Sequence, residues 1–137
     1  MSEANLSRRL VKKLAPHLDF WHRVENSVAD GTPDVFYVSS TGMGAVELKH
    51  IVHYPKRPAT ALRFKRFTID QVNCIEAFGA EGNGKSWILV QVELDHYLFN
   101  WTMARSLQAG RPREWWETNC LIKFKRTVNY LQLANIL

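Results

Sequence analysis

The length, composition and charge of the chain restrict the classes of protein to which it can belong. Its 137 residues fit one domain, 1–137, and a content of 46% hydrophobic and 23% charged residues excludes a disordered protein. The net charge of +5 favours a polyanionic partner. No stretch is apolar for long enough to serve as a signal peptide or membrane span, so we expect a soluble, cytoplasmic protein without membrane contacts.

The first third of the chain predicts a helix, a strand and a turn. Leucines recur every four positions over 6–18, with cations between them, as in an amphipathic helix that Pro16 ends early. Residues 20–25 alternate as in a strand. The turn formers at 29–33 then predict a loop that ends at Asp34.

A hairpin and a long basic loop are predicted next. Strands are expected at 35–39 and 45–52, joined by a turn at 40–44. Residues 53–67, here called the basic segment, contain two prolines and five cations with little periodicity. We therefore predict a long loop beside the substrate.

Thr68 and Gln71 match a capping box and predict the start of a second helix. A glycine-rich loop is expected at 79–85, strands at 87–92 and 96–101, and a helix at 102–109 that Gly110 ends. Residues 121–137 fit a helix throughout or a strand at their start. The predicted order αβββαββα is that of an α/β protein with a mixed sheet between helices.

Asp34, Glu47 and Lys49 form the pattern that indicates chemistry. Side chains two apart in a strand share a face, so Glu47 and Lys49 point together while Leu48 points into the core. If the two hairpin strands pair, Asp34 approaches Glu47, and two close carboxylates favour a shared cation. Mg²⁺ or Mn²⁺, with the Leu48 carbonyl as a further ligand, would satisfy this arrangement. The alternatives are an exposed ion pair between Glu47 and Lys49 and an ordinary turn role for Asp34.

These residues resemble the P-D…E-x-K signature of the PD-(D/E)xK nucleases. The pattern from Gly31 through Glu47-Leu48-Lys49-His50 to Gln71 is similar to the VRR-NUC branch and its phage and archaeal Holliday junction resolvase relatives. The resemblance covers roughly residues 1–92 and implies a restriction-endonuclease-like αβββαβ core, with 93–137 as a C-terminal extension. It implies a metal-dependent DNA endonuclease for branched DNA or Holliday junctions, located in the host cytoplasm if a phage encodes it. The basic insertion at 53–66 departs from the family pattern.

Two further candidate site residues follow from the same resemblance. The family has an acidic residue on its first helix, matched by Glu3, and a glutamine on the helix after the ExK strand, matched by Gln71. A glutamate in a first helical turn is also favoured by the helix dipole, and Glu25 competes with Glu3 as the third acidic residue. Gln71 has the alternative of serving its capping box alone.

DNA and a second copy of the chain are the expected partners. Five cations of the basic segment are predicted to contact the DNA backbone: Lys56, Arg57, Arg63, Lys65 and Arg66. A homodimer would supply two cuts at a junction, through an interface of aromatic residues beyond 93: Trp101, Trp115, Trp116, Phe124 and Tyr130. The alternative is that these rings close the core of the monomer. A non-catalytic DNA-binding or recombination accessory module is the alternative function.

Overall fold

A computed structural model describes residues 2–24 and 31–137, which form a mixed sheet of six strands with helices on both faces and a second sheet of two strands. The large sheet has the order β1 (Phe20–Arg23), β2 (Val35–Ser39), β3 (Gly42–Ile51), β5 (Ser86–Val92), β6 (Asp95–Asn100), β8 (Ile122–Phe124). The small sheet pairs β4 (Ala61–Leu62) with β7 (Arg111–Pro112). The helices are α1 (Glu3–Lys13), α2 (Ile69–Glu81), α3 (Ala104–Ala109), α4 (Arg113–Asn119) and α5 (Tyr130–Ile136). The element order αβββαβ and the mixed central sheet between helices confirm the predicted α/β architecture.

The leucine stripe places α1 against the sheet. Leu6, Leu10 and Leu14 are fully buried and share one core cluster with Val46 and Leu48 of β3. Ser2 caps the helix by accepting a hydrogen bond from the Asn5 N–H. The helix ends at Lys13, followed by a 3-10 turn at Ala15–His17 that contains Pro16, so the predicted early end is confirmed.

The β2–β3 hairpin is confirmed, but its turn is shorter than predicted. Ser39 pairs with Gly42, so the second strand begins three residues before position 45. The predicted turn at 40–44 included Gly44, which lies in the strand. There it makes room for the Tyr37 ring opposite, since a Cβ at Gly44 would lie 2.3 Å from the Tyr37 hydroxyl oxygen.

The second helix begins at the predicted capping box and continues beyond its predicted end. Thr68 accepts from the Gln71 N–H, and the Gln71 side chain accepts from the Thr68 N–H. Gly79 lies inside α2 and not in a loop. Glycine is needed there because the Trp101 ring packs where a Cβ would stand. Thus the predicted loop at 79–85 is wrong for its first three residues.

The C-terminal third contains both structures predicted for 121–137, a short strand, β8, and then a helix, α5. The helix before Gly110 is confirmed as a 3-10 turn and α3, and Gly110 adopts φ +92° after its last residue. The basic segment is not a free loop, because Ala61 and Leu62 pair with Pro112 and Arg111.

Two apolar layers cover the two faces of the sheet. Side chains of α1 and α5 pack on one face, and those of α2, α3 and α4 on the other. Trp116 is fully buried and Phe124 is 6% exposed within these layers. These rings of the predicted dimer interface therefore close the monomer's own core. Within 2–24 and 31–137, no helix has the length and apolar character needed to cross a membrane.

Candidate active site

Glu47 and Lys49 lie in the middle of the sheet, on the face that α2 covers. The strand β3 pairs with β2 on one side and with β5, in parallel, on the other. Together with α2 above the sheet, these two strands enclose the centre of β3. Glu47 is 1% exposed and Lys49 is 4% exposed. The predicted shared face is confirmed by the burial of Val46 and Leu48 in the opposite layer. The alternative of an exposed ion pair is wrong, because both side chains are buried.

Asp34 reaches this centre from the residues just before β2. Its Oδ2 accepts a hydrogen bond from the Leu48 N–H at 2.8 Å. In a strand, the N–H and C=O of one residue face the same neighbour, so the Leu48 carbonyl also lies on the Asp34 side. Extending the β2–β3 register by two residues places Pro33 opposite Leu48. Proline has no N–H to pair with that carbonyl, which fits the predicted role of Leu48 as a backbone ligand.

Gly31 fixes where the chain approaches the site. It adopts φ +86°, and a Cβ at this position would lie 2.5 Å from the Asp70 carbonyl oxygen. The turn that leads to Asp34 therefore packs backbone to backbone on the first turn of α2. Only glycine fits both the conformation and the space.

The Glu47 carboxyl is the least satisfied polar group of the site. Its Oε1 lies 3.5 Å from the Gln71 amide nitrogen, and its buried Oε2 accepts from no donor in the part of the chain that the structure describes. The carboxyl lies within hydrogen-bonding reach of Asp34, which it meets when one of the two carries a proton. Burial, and then repulsion from Asp34, raise the pKa of Glu47 to about 9, although Lys49 acts in the opposite direction. Ionised Asp34 and Glu47 are both acceptors, so this pair requires a shared proton or a cation.

Lys49 and Gln71 form a hydrogen-bonded pair next to these carboxyls. The Lys49 Nζ donates to Gln71 Oε1 at 3.1 Å and to the Arg66 carbonyl at 2.7 Å. The capping contact of Gln71 and its contact with Lys49 therefore coexist, since Oε1 also accepts from the Thr68 N–H at 3.0 Å.

Two positions of the basic segment touch Lys49, and the sequence analysis predicted neither contact. The Arg66 carbonyl accepts from Lys49, and the Phe67 ring centroid lies 5.0 Å from its Nζ. No sequence pattern could have indicated the contact made by the Arg66 carbonyl. Phe67 does carry a sequence signal, because it directly precedes the capping box and packs in the same layer as Val72, as in a hydrophobic staple.

Glu3 stands at the edge of the site. Its burial raises its pKa, Lys49 lowers it and Asp34 raises it, so both charges act on Glu3. Glu25, its rival, lies outside the described residues. Within residues 2–24 and 31–137, no three His, Cys, Asp or Glu side chains converge as a metal cluster. The two close carboxyls and the Leu48 carbonyl suit Mg²⁺, which keeps several waters and a substrate phosphate in its shell.

A cleft of about 420 Å³ opens from Lys49 along the end of β3. It brings together Glu3 with three of the predicted DNA-binding cations, Arg63, Lys65 and Arg66. The Arg63 side chain donates to the Ala109 carbonyl at 3.1 Å, whereas Lys65 and Arg66 extend into solvent. The other two cations, Lys56 and Arg57, line a separate depression beside Arg113.

No protein-family model and no curated protein matches the chain. Among solved structures, the chain is similar to Hjc, a Holliday junction resolvase from the archaeal hyperthermophile Archaeoglobus fulgidus. The similarity has a TM-score of 0.49 and 15% sequence identity, and it covers 81% of this chain and 93% of that chain. The functional proposal therefore depends on the geometry around Asp34, Glu47 and Lys49; of these three, only Lys49 lines the cleft.

Proposed function

We propose that the protein is a metal-dependent DNA endonuclease that hydrolyses phosphodiester bonds, with branched DNA or Holliday junctions as its substrates. The buried Glu47 carboxyl carries this proposal, because it lies against Asp34 and beside Lys49, and its Oε2 accepts from no donor in the described part of the chain. A carboxylate in that position is costly unless a cation joins it. The adjoining cleft supplies cations for a polyanionic substrate.

Asp34, Glu47 and the Leu48 carbonyl would hold the divalent ion, Mg²⁺ or Mn²⁺. When bound, the ion would acidify a water and offset negative charge at the phosphate. The Leu48 N–H keeps one Asp34 oxygen fixed, so the other oxygen remains for the ion. Burial of Glu47 excludes bulk water from its carboxylate and strengthens its attraction for the ion.

Lys49 would orient the attacking water or stabilise charge on the phosphate. An ammonium group has three donors, and Gln71 and the Arg66 carbonyl accept two of them. The third remains for a water or a phosphate oxygen. Gln71 acts as a positioning residue, because its amide links the side chains of Lys49 and Glu47.

Lys65 and Arg66 would hold the DNA backbone at the mouth of the cleft, with Arg63 behind them. Such contacts release counterions, so binding should weaken steeply with salt. The preference for branched DNA comes from the family resemblance. A homodimer would provide two centres for two cuts, and light scattering should then report about twice the 15.9 kDa of the monomer.

The decisive experiment compares labelled duplex, single-stranded, nicked and four-way DNA with Mg²⁺, with Mn²⁺ and with a chelator. Cutting that requires the metal supports the proposal, and the largest rate on four-way DNA supports the substrate. Glu47→Gln should be inactive. The control Glu81→Gln, which changes an exposed carboxylate at the end of α2, should cut like the wild type. Tight binding without cutting under any of these metals would instead favour the non-catalytic DNA-binding module.

A further inference from the structure

A second basic surface lies beyond the cleft, where the basic segment meets the C-terminal third. It consists of two adjoining depressions of about 170 and 550 Å³ that share Tyr54, Pro55 and Arg113. The Arg113 guanidinium stacks over the Tyr54 ring, 3.8 Å from its centroid, and separates the two. Lys56 and Arg57 line the first depression, and Lys125 and Arg126 line the second.

The carboxylates that line this surface are already engaged by the fold. Asp95 accepts from the Tyr54 hydroxyl at 2.6 Å and from the Arg126 N–H at 3.1 Å. Glu93 accepts from the Tyr54 N–H at 2.9 Å. In contrast, the exposed Lys56, Arg57, Lys125 and Arg126 form no ion pair within the described ranges. Five cations and two carboxylates line the two depressions, so the surface has a net positive charge.

Backbone strain is concentrated at the same place. Within residues 2–24 and 31–137, Glu93 and Arg126 are the two non-glycine residues with positive φ, +55° and +66°. Both line the larger depression. Such conformations cost of order 1 kcal/mol or more and cluster at functional sites. The hydrogen bond from the Arg126 N–H to the buried Asp95 stabilises this backbone conformation. The position therefore carries an arginine although glycine would adopt the conformation with less strain.

We propose that this surface binds the sugar-phosphate backbone of a DNA arm that extends beyond the cleft. It adjoins the cleft along the chain, because His53 lines the cleft and the next residue, Tyr54, lines both depressions. Exposed lysines and arginines suit phosphates without reading sequence. The inference rests on the proposed function for the presence of DNA, and it assigns a binding role to the C-terminal third.

The test is the double variant Lys125→Gln/Arg126→Gly. Glycine adopts positive φ freely and keeps the N–H that Asp95 accepts, so the variant removes two charges without disturbing the turn. Its matched control is Lys12→Gln/Lys13→Gln, which removes the same charge from the end of α1 away from the cleft. Thermal unfolding should show that both variants are folded.

Binding is measured in a chelator on duplexes of increasing length and at several salt concentrations. The wild type and the control should gain affinity once the duplex reaches the second surface, and the variant should lack this gain. Since two phosphate contacts contribute a slope of about 1.8, the advantage of wild type over variant should fall roughly tenfold when salt rises fourfold. A variant with the length dependence and salt slope of the control overturns the inference.

The same samples separate this inference from the proposed function. If the wild type binds duplexes but cuts no DNA with Mg²⁺ or Mn²⁺, the endonuclease proposal fails while the slopes still decide the binding surface. If the wild type cuts DNA and the slopes are equal, only the binding surface is rejected. If the wild type binds no DNA, both are rejected.

Discussion

Two regions of the molecule contribute to the candidate active site and the cleft beside it in different ways. The core, residues 2–92, carries the candidate catalytic side chains Asp34, Glu47, Lys49 and Gln71, which meet at one point of the sheet. The C-terminal third, residues 93–137, supplies none of them. It holds the basic segment, through β7, the Ala109 carbonyl and the buried Trp116.

The basic segment belongs to the core by sequence and to the C-terminal third by packing. The Phe64 ring packs against Trp116 at a tilt of 34°, with centroids 5.8 Å apart, and Gln108 donates to the Phe67 carbonyl at 3.3 Å. The same segment accepts the Lys49 ammonium through Arg66. The difference between the regions is therefore one of role: the core provides reactive groups, and the C-terminal third fixes the element that touches them.

The largest expected effect tests the role of the core. Asp34→Asn, Glu47→Gln and Lys49→Ala should each lower the cleavage rate by roughly two orders of magnitude or more, because under the proposed function the first two weaken the binding of the divalent ion and the third removes the ammonium beside the phosphate. Single-turnover rates on four-way DNA at saturating Mg²⁺ measure this. Glu47→Gln should also stay folded, since glutamine has the shape of the protonated acid. A near-normal rate in any of the three would show that the site is wrongly assigned.

The next largest effect tests the C-terminal third. Trp116→Ala should lower the free energy of unfolding by about 3–5 kcal/mol, the usual cost of emptying a large buried aromatic site. Trp116 is fully buried and meets Phe64, Tyr97 and Phe99. Urea titration provides the measurement, with Leu131→Ala as control, because Leu131 is 57% exposed. Equal losses in both variants would mean that Trp116 does not anchor this region.

The sequence predicted the core better than the C-terminal third, because local patterns predict local structure but not contacts between residues far apart in the chain. Alternation along β3 places Glu47 and Lys49 on one face whatever surrounds them, and the Thr68 capping box is complete within four residues. Their burial depends on β5 and α2, which pack from distant positions. For the same reason the contact between Gln71 and Lys49, 22 residues apart, had no local signal of its own.

The basic segment shows the opposite case. Its prolines and missing periodicity predicted a loop, and nothing local reveals that Ala61–Leu62 pairs with Arg111–Pro112 about fifty residues later. A strand of two residues is too short for an alternation pattern. The five cations predicted to act together therefore lie at two places, on either side of that strand pair. Arg63, Lys65 and Arg66 line the cleft, and Lys56 and Arg57 lie beside Arg113.

A smaller effect on stability is expected from a change at Gly31, in the turn that leads to Asp34. Gly31→Ala should cost about 1–3 kcal/mol of unfolding free energy, because alanine is strained at positive φ and its Cβ would overlap the Asp70 carbonyl. Gly84→Ala is the matched control, since Gly84 also has positive φ but no atom within 4 Å of the added Cβ. Cleavage should fall more in Gly31→Ala than in the control at a temperature where both are folded. Equal stability and activity would show that the turn has room to move.

The smallest effect, taken as the change in unfolding free energy per pH unit, compares the two regions through one buried ionisable group in each, in metal-free protein. Burial and Asp34 raise the pKa of Glu47 from 4.5 to about 9, so the folded state keeps a proton that the unfolded state loses. The free energy of unfolding should therefore fall as pH rises from 4.5 toward 9. Burial and the Arg9 charge lower the pKa of His96 from 6.5 to about 4, so the unfolded state binds the extra proton. Stability should then fall as pH decreases from 6.5 toward 4.

Each slope is at most about 1.4 kcal/mol per pH unit for one proton. Urea titrations in a chelator from acid to mildly alkaline pH should show Glu47→Gln losing only the alkaline decline and His96→Gln only the acid one. The His96 Nε2 accepts from Arg9 in the neutral ring, and a glutamine oxygen can accept in its place. Adding Mg²⁺ should reverse the alkaline decline of the wild type, because the ion favours ionised Glu47, and should leave the acid side unchanged. If Glu47→Gln retained the full alkaline decline, another group would have to carry it, and the buried carboxyl would lose its place as the proposed cation ligand.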